Sequence, residues 1–440
     1  MDRIRQWLNS KTRDEVQYEP VPDSRPQSRS GHAASRKRSN FEYLVFLTLG
    51  CAMLWAWSMF MASTMYFRAR FADNRWIFTN YNASILFVAC STNFSTVMYL
   101  SSTAGQRNAN YPRRIKSALI INMFVFTILA FSTIVWTKCS AEAYFVLVLS
   151  LVFTTNLATG LIQNGVFALV SGYEPICTQG VMTGQGLAGV LPGLAQIISV
   201  LSTLQKEPND QPDPPSGTPA GSAFFSFFTA TIVSGVTLLL FQSLLARTPA
   251  AKPTRRDSTA SEPEKASVPM LDLLLKLRYQ AFTITFNFAL TMIFPIFTII
   301  ITSSHPKPLP PLLLPPVFVP LSFIIWNLGD FLGRLICAWP IFHVTNPKLQ
   351  TIFAMARLAF IPLYYQCNLY GMGAKFGGDA FYWLVQIAFG MTNGWVGSNV
   401  MMAAPAYAGE EMREAAGGFL GACIMGGLTL GSFLGFFVTP

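Results

Sequence analysis

The sequence predicts an all-α, polytopic membrane protein of about eleven transmembrane helices, and three observations carry that prediction. The 440 residues are 52% hydrophobic and only 12% charged, about half the charged share of a soluble domain, too little polar surface for water to solvate. The apolar residues come in runs of about 20 to 25, the length a helix needs to cross a bilayer. Almost every Lys and Arg falls between those runs rather than inside them.

The runs fall near 42–63, 80–104, 115–136, 143–168, 178–203, 222–246, 279–302, 317–339, 349–369, 380–404 and 413–438. Helix is the expected form of each, because lipid offers no partner to a backbone N–H or C=O left open. The connection 247–278 is the longest charged one and carries Pro and Ser. It divides the helices six plus five, which predicts an N-terminal bundle over 42–246, a linker over 247–278 and a C-terminal bundle over 279–440. Residues 1–41 are polar, rich in Ser, Pro and Arg, and hold no apolar core; a disordered tail is expected there rather than a cleaved leader.

The net charge of +10 belongs to the connections and not to a folded basic domain, so it speaks for topology and against nucleic acid as a partner. With the N-terminus in the cytosol, that side collects 22 of the 31 Lys and Arg and the far side 7. The bias places the N-terminus in the cytosol and Pro440 outside it. The plasma membrane and a vacuolar or lysosomal membrane fit this pattern alike. Oligomeric state is not legible in the sequence.

Enzyme chemistry finds little support. The three histidines, His32, His305 and His343, lie in the tail or connections, and no Gly-Lys-Ser/Thr phosphate loop is present. The seven cysteines show neither a disulfide framework nor zinc spacing. No cofactor and no metal are expected.

Small residues recur at a spacing of four, as in Gly189 and Gly193, Gly417 and Gly421, and Gly427, Gly431 and Gly435. That spacing lets helix backbones approach closely where lipid supplies no hydrophobic drive.

One acidic residue lies deep in an apolar run: Asp330, in the stretch NLGDFLGR that begins at Asn327. A carboxylate there costs about 2.5 to 3.5 kcal/mol on insertion scales unless it is paired or hydrated. Arg334, four residues on, shares its helix face. The pair reads either as a self-neutralised structural bridge or as part of a substrate or ion path, and Asn327, one turn earlier, adds polar company for the path. Arg357 is a second intramembrane charge, near enough to the inner boundary to snorkel, and is not assigned to substrate. Further polar groups cluster in the fourth, fifth and tenth runs, among them Asn156, Gln163, Gln185, Asn393 and Asn399. Helix-to-helix bonding accounts for most of these. Gln163 also offers a donor and an acceptor that match the edge of a purine or pyrimidine.

At these residues the chain resembles the equilibrative nucleoside transporters. NLGDFLGR is similar to that family's eighth-helix signature, through Asp330, Gly333 and Arg334. GLIQNGVFALVSG from Gly160 and GVMTGQGLAGVLPG from Gly180 resemble its fourth and fifth helices, and ARLAFIPLYYQCN from Ala356 and FGMTNGWVGSNVMMAAP from Phe389 extend the match. The first helix departs from the pattern: Ala56, Trp57 and Ser58 stand where the family usually has Pro-Trp-Asn, which removes a kink and shortens a polar side chain.

The resemblance implies a major-facilitator-like arrangement of six and five helices that moves nucleosides by alternating access. It implies that Trp57 and Met61 pack against sugar and base, that Gln163 bonds the base, and that Asp330 with Arg334, beside Asn327, holds the ribose hydroxyls. No intramembrane histidine or second acid accompanies Asp330 to form a proton relay, so facilitated diffusion is the expected mode. A carrier restricted to nucleobases or another small polar solute, and a non-transporting receptor or scaffold, are the competing readings. In the linker, Arg255, Arg256 and Ser258 form an Arg-Arg-x-Ser pattern, where phosphate on Ser258 would weaken the attraction of the basic stretch to anionic lipid.

Overall fold

The computed structural model describes residues 40–107, 109–204, 220–247 and 268–438. Ser258, most of the linker and the N-terminal tail lie outside them.

Helices begin where a side chain can take the backbone donors that a helix start leaves open. The Asn74 side chain accepts from the N–H of Trp76 and Ile77, that of Asn110 from Arg113, that of Ser140 from Ala143, and that of Asn346 from Lys348 and Leu349. The long helices are α1 (Asn40–Ala62), α2 (Arg75–Ser101), α3 (Tyr111–Val135), α4 (Ala141–Val170), α5 (Pro175–Leu204) and α6 (Ala220–Arg247). After the linker come α7 (Arg278–Thr291, continued by Ile293–Ile300), α8 (Pro315–Ile336), α9 (Pro347–Ala356), α10 (Gly378–Ala408) and α11 (Arg413–Val438).

Each of the eleven runs thus meets a helix, ten of them with ends shifted by a few residues. Among the described residues, eight of these helices are long and apolar enough to span a bilayer, by length and composition. The other three are α5, α9 and α10. α5 buries Thr178, Gln179, Thr183 and Gln185, and α10 buries Gln386, Asn393, Ser398 and Asn399, so protein rather than lipid satisfies their polar faces.

Two expectations need correction. The ninth run is not one helix: α9 stops at Ala356, a 3₁₀ turn covers Arg357–Ala359, and a short helix Phe360–Tyr364 follows. Pro362 lacks an N–H and crowds the carbonyl four residues back, which falls inside that turn. The connection after α1 is also shorter than the run lengths suggest, because a further helix, Thr64–Arg70, fills most of it. Tyr66, Phe67 and Phe71 are buried there among Phe126, Tyr144 and Phe227.

Close helix approaches follow the glycines. A Cβ on Gly50 would strike the Val181 carbonyl and one on Gly184 the Leu47 carbonyl, which locks α1 to α5. Gly329, Gly333, Gly390 and Gly394 do the same between α8 and α10, and Gly427 and Gly431 between α11 and α7. Two further seams join the first six helices to the last five. On one, Gly186, Gly189 and Gly193 of α5 face Phe331, Asn327 and Ile324 of α8; on the other, Gly417 and Gly421 of α11 face Phe167 of α4.

The apolar core has a polarity along the helix axes. At the end where α1 begins, one continuous core takes Phe46 (α1), Ile115 (α3), Phe167 (α4) and Val181 (α5) together with Ile284 (α7), Val400 (α10) and Phe419 (α11). At the opposite end the described residues form two separate cores. One is built only from the first six helices and the chain between α1 and α2, the other only from α7 to α10 and the segments that flank them. The two halves are therefore sealed to each other at the Asn40 end and packed independently at the other.

Candidate functional site

α8 places Asp330 and Arg334 on one face, one turn apart, with Arg334 Nε donating to Asp330 Oδ2 at 2.7 Å. Both residues are about 5% exposed or less. The glycines make this place habitable for a guanidinium: Gly186 of α5 and Gly394 of α10 lie against the Arg334 side chain, where a Cβ would collide with it. Arg334 Nη1 donates to the Met182 carbonyl at 2.9 Å and to Gln185 Oε1 at 3.0 Å. Gln179 Nε2 in turn donates to the Arg334 carbonyl at 3.0 Å. Asp330 Oδ1 accepts from Asn393 Nδ2 of α10 at 2.7 Å. The ion pair is thus the knot that ties α5, α8 and α10 together.

From Asn393 the network runs on to the second charge. Asn393 Oδ1 accepts from Asn287 Nδ2 at 2.9 Å and from Thr291 Oγ1 at 2.6 Å. Asn287 carbonyl accepts from Arg357 Nη1 at 3.0 Å, and Asn287 Oδ1 from the same nitrogen. Arg357 does not snorkel: it is 2% exposed, bonds Thr392 Oγ1 at 3.3 Å, and lies 4.6 Å from the Phe389 ring centroid. The 3₁₀ turn aims it inward, toward α7 and α10. Every hydrogen bond from Arg357 through Asn287 and Asn393 points donor to acceptor toward Asp330, so each amide polarises the next. Two guanidinium groups thereby share one carboxylate, and the cluster carries one excess positive charge.

Among the described residues, no hydrogen bond joins the other predicted residues to this knot. Asn327 Nδ2 donates to the Phe323 carbonyl of its own helix at 2.8 Å, and its Oδ1 lies against Gly189 of α5. Gln163 is buried on α4 and donates to the Gly421 carbonyl of α11 at 3.4 Å, which places it on the other seam. Trp57 is half-buried against the aromatic core of the first half. The side chain of Met61 lies outside the described residues. Ser58 donates to the Ala188 carbonyl at 3.0 Å, so the shortened side chain bonds α5 next to Gly189. Asn287, Asn393 and Arg357 are the residues that sequence reasoning left unassigned. Their signal was a lone Asn in the apolar stretch FTITFNFALTMIF of α7. Among the described residues no three His, Cys, Asp or Glu converge as a metal site would need.

Comparison with known proteins supplies the family and the fold. The family model described as "Nucleoside transporter" matches residues 148–250 and 247–439. Nucleoside transporter FUN26 of Saccharomyces cerevisiae is 27% identical over 91% of this chain and 84% of its own length. Human equilibrative nucleoside transporter 1 is 25% identical over 90% of this chain and 96% of its own. Among solved structures, the major facilitator superfamily transporter FucP in the outward conformation superposes with a TM-score of 0.55 at 13% identity, covering 90% of this chain and 92% of that one. That likeness establishes a major-facilitator-like fold. The chain is a multi-pass integral membrane protein, and it belongs to the nucleoside transporter family.

Proposed function

We propose that this chain carries nucleosides across a membrane by alternating access, with substrate held between its two halves at the Asp330–Arg334 knot. The observation that supports this most is the free valence of a buried ion pair. Among the described residues, Arg334 uses Nε and Nη1 while Nη2 carries no hydrogen bond, and each Asp330 oxygen accepts only one. A carboxylate with spare acceptor capacity beside a spare pair of N–H donors suits vicinal ribose hydroxyls, which both donate and accept.

The remaining roles are those that the family resemblance implies. Asn327 borders the pair on α8, Trp57 and Met61 supply apolar surface on α1, and Gln163 reads the base edge from α4. The excess positive charge of the knot favours the electron-rich oxygens of a sugar over a cation. Six helices over 42–246 and five over 279–440 are the moving bodies. The N-terminus faces the cytosol and the C-terminus does not, following the Lys and Arg bias. On that orientation the shared core at the Asn40 end is a closed cytosolic gate, and substrate enters from the opposite side. Transport runs down the nucleoside gradient in either direction, since the knot lacks a second acid or a histidine for proton transfer. Uptake of radiolabelled uridine and adenosine by proteoliposomes, with free nucleobases as competitors, tests the proposal. Saturable uptake that nucleosides inhibit and nucleobases do not is the expected result, and equal inhibition by nucleobases would assign the chain to their transport instead.

A further inference from the structure

A cavity of 850 Å³ lies away from the Asp330–Arg334 knot, between α2 of the first half and α7 and α11 of the second. Its walls are apolar along nearly their whole length, with Phe94 and Met98 on α2, Phe282 and Ile293 on α7, and Leu430 and Leu434 on α11. Phe282, Leu430 and Leu434 are each about half exposed, so the cavity opens sideways, toward the bilayer, and not into the protein. Along α11 it runs from Phe419 to Leu434, about 22 Å at the rise of an α-helix and longer than the ~15 Å of one leaflet.

A single charged side chain lines it. Arg278 stands at the Asn40 end, on the first residue of α7. It is exposed, its guanidinium lies 5.2 Å from the Tyr279 ring centroid, and among the described residues no carboxylate pairs with it. A cation at headgroup depth above an acyl-length apolar groove matches the two ends of one molecule. We propose that this groove is a binding site for an anionic glycerophospholipid, with its phosphate on Arg278 and an acyl chain between α2, α7 and α11.

The site sits at the seam between the halves. α2 touches α11 there, and a Cβ on Gly426 would sit 3.7 Å from the Phe94 ring. A chain wedged at that seam resists any rocking that brings α2 toward α7. Neutral lipid fills the same groove without the phosphate contact and is held less tightly.

Native mass spectrometry from micelles that contain equal phosphatidylcholine and phosphatidylglycerol tests the proposal. It needs no transport activity, so its outcome is independent of the nucleoside reading. The wild-type chain is expected to retain phosphatidylglycerol preferentially. R278Q is expected to lower that retention about fivefold, the worth of one basic residue at an anionic surface, while R278K keeps it. Leu430→Trp, which fills the groove without altering Arg278, is expected to lower retention as well and serves if R278Q does not fold. K276Q is the control, because Lys276 is two residues away and does not line the groove. Equal retention by R278Q and wild type, an equal loss in K276Q, or a lipid-free dimer that occupies the face would each overturn the site.

Discussion

Arg334 has five N–H donors and uses three of them within the protein, one on Asp330 and two on α5. The two on Nη2 have no partner among the described residues and on the proposed reading serve the nucleoside, which separates the roles of the two partners. Asp330→Asn keeps the shape and the bond from Asn393 but removes the charge that attracts hydroxyl donors. Nucleoside uptake should fall about 10- to 100-fold, as for loss of a hydrogen bond to a charged group of about 1.5 to 3 kcal/mol, while detergent-solubilised protein stays monodisperse. Arg334→Ala strands a buried carboxylate and releases α5, so it should destabilise the fold by about 3 to 5 kcal/mol, visible as a lowered melting temperature. Equal melting temperatures for the two variants would refute the pairing. The ion pair was legible in the sequence because a carboxylate in an apolar run demands a partner and Arg334 stands at the right spacing. The amide chain to Arg357 was not. An Asn in a membrane helix reads the same whether it bonds its own backbone, as Asn156 does to the Val152 carbonyl, or another helix, as Asn393 does.

At the scale of helices, the glycines fall into two classes that the sequence spacing does not distinguish. Gly333 packs within the second half, where a Cβ would meet the Met391 backbone of α10. Gly417 packs between the halves, where a Cβ would meet Phe167 of α4 and Ser171 just after its end. Gly333→Val should therefore abolish folded expression. Gly417→Val should instead yield folded protein that cannot close the Asn40 end. Cysteine accessibility at that end, read with a water-soluble maleimide, should rise in Gly417→Val, and unchanged labelling would contradict the assignment. The eleven helices were legible because a bilayer demands about 20 apolar residues from each. The break in the ninth was not, since Pro362 and Arg357 sit in a run whose hydropathy alone looks continuous. The break is what turns Arg357 inward, so the missed element and the missed residue have one cause.

At the scale of the whole molecule the described residues are asymmetric along the helix axes: one shared core at the Asn40 end, two separate cores at the other. Alternating access requires that the shared core open, so cross-linking a cysteine at Gly418 of α11 to one at Ala168 of α4, whose Cβ atoms would stand 4.0 Å apart, should stop transport and reduction should restore it. The most direct measurement of the central claim, that nucleosides pass through the Asp330–Arg334 knot down their own gradient, is counterflow in proteoliposomes. Vesicles preloaded with unlabelled nucleoside should take up labelled nucleoside transiently, without any ion gradient, and Asp330→Asn should abolish the overshoot. Counterflow that persists unchanged in Asp330→Asn, or accumulation that appears only under an inward proton gradient and collapses with a protonophore, would contradict the account.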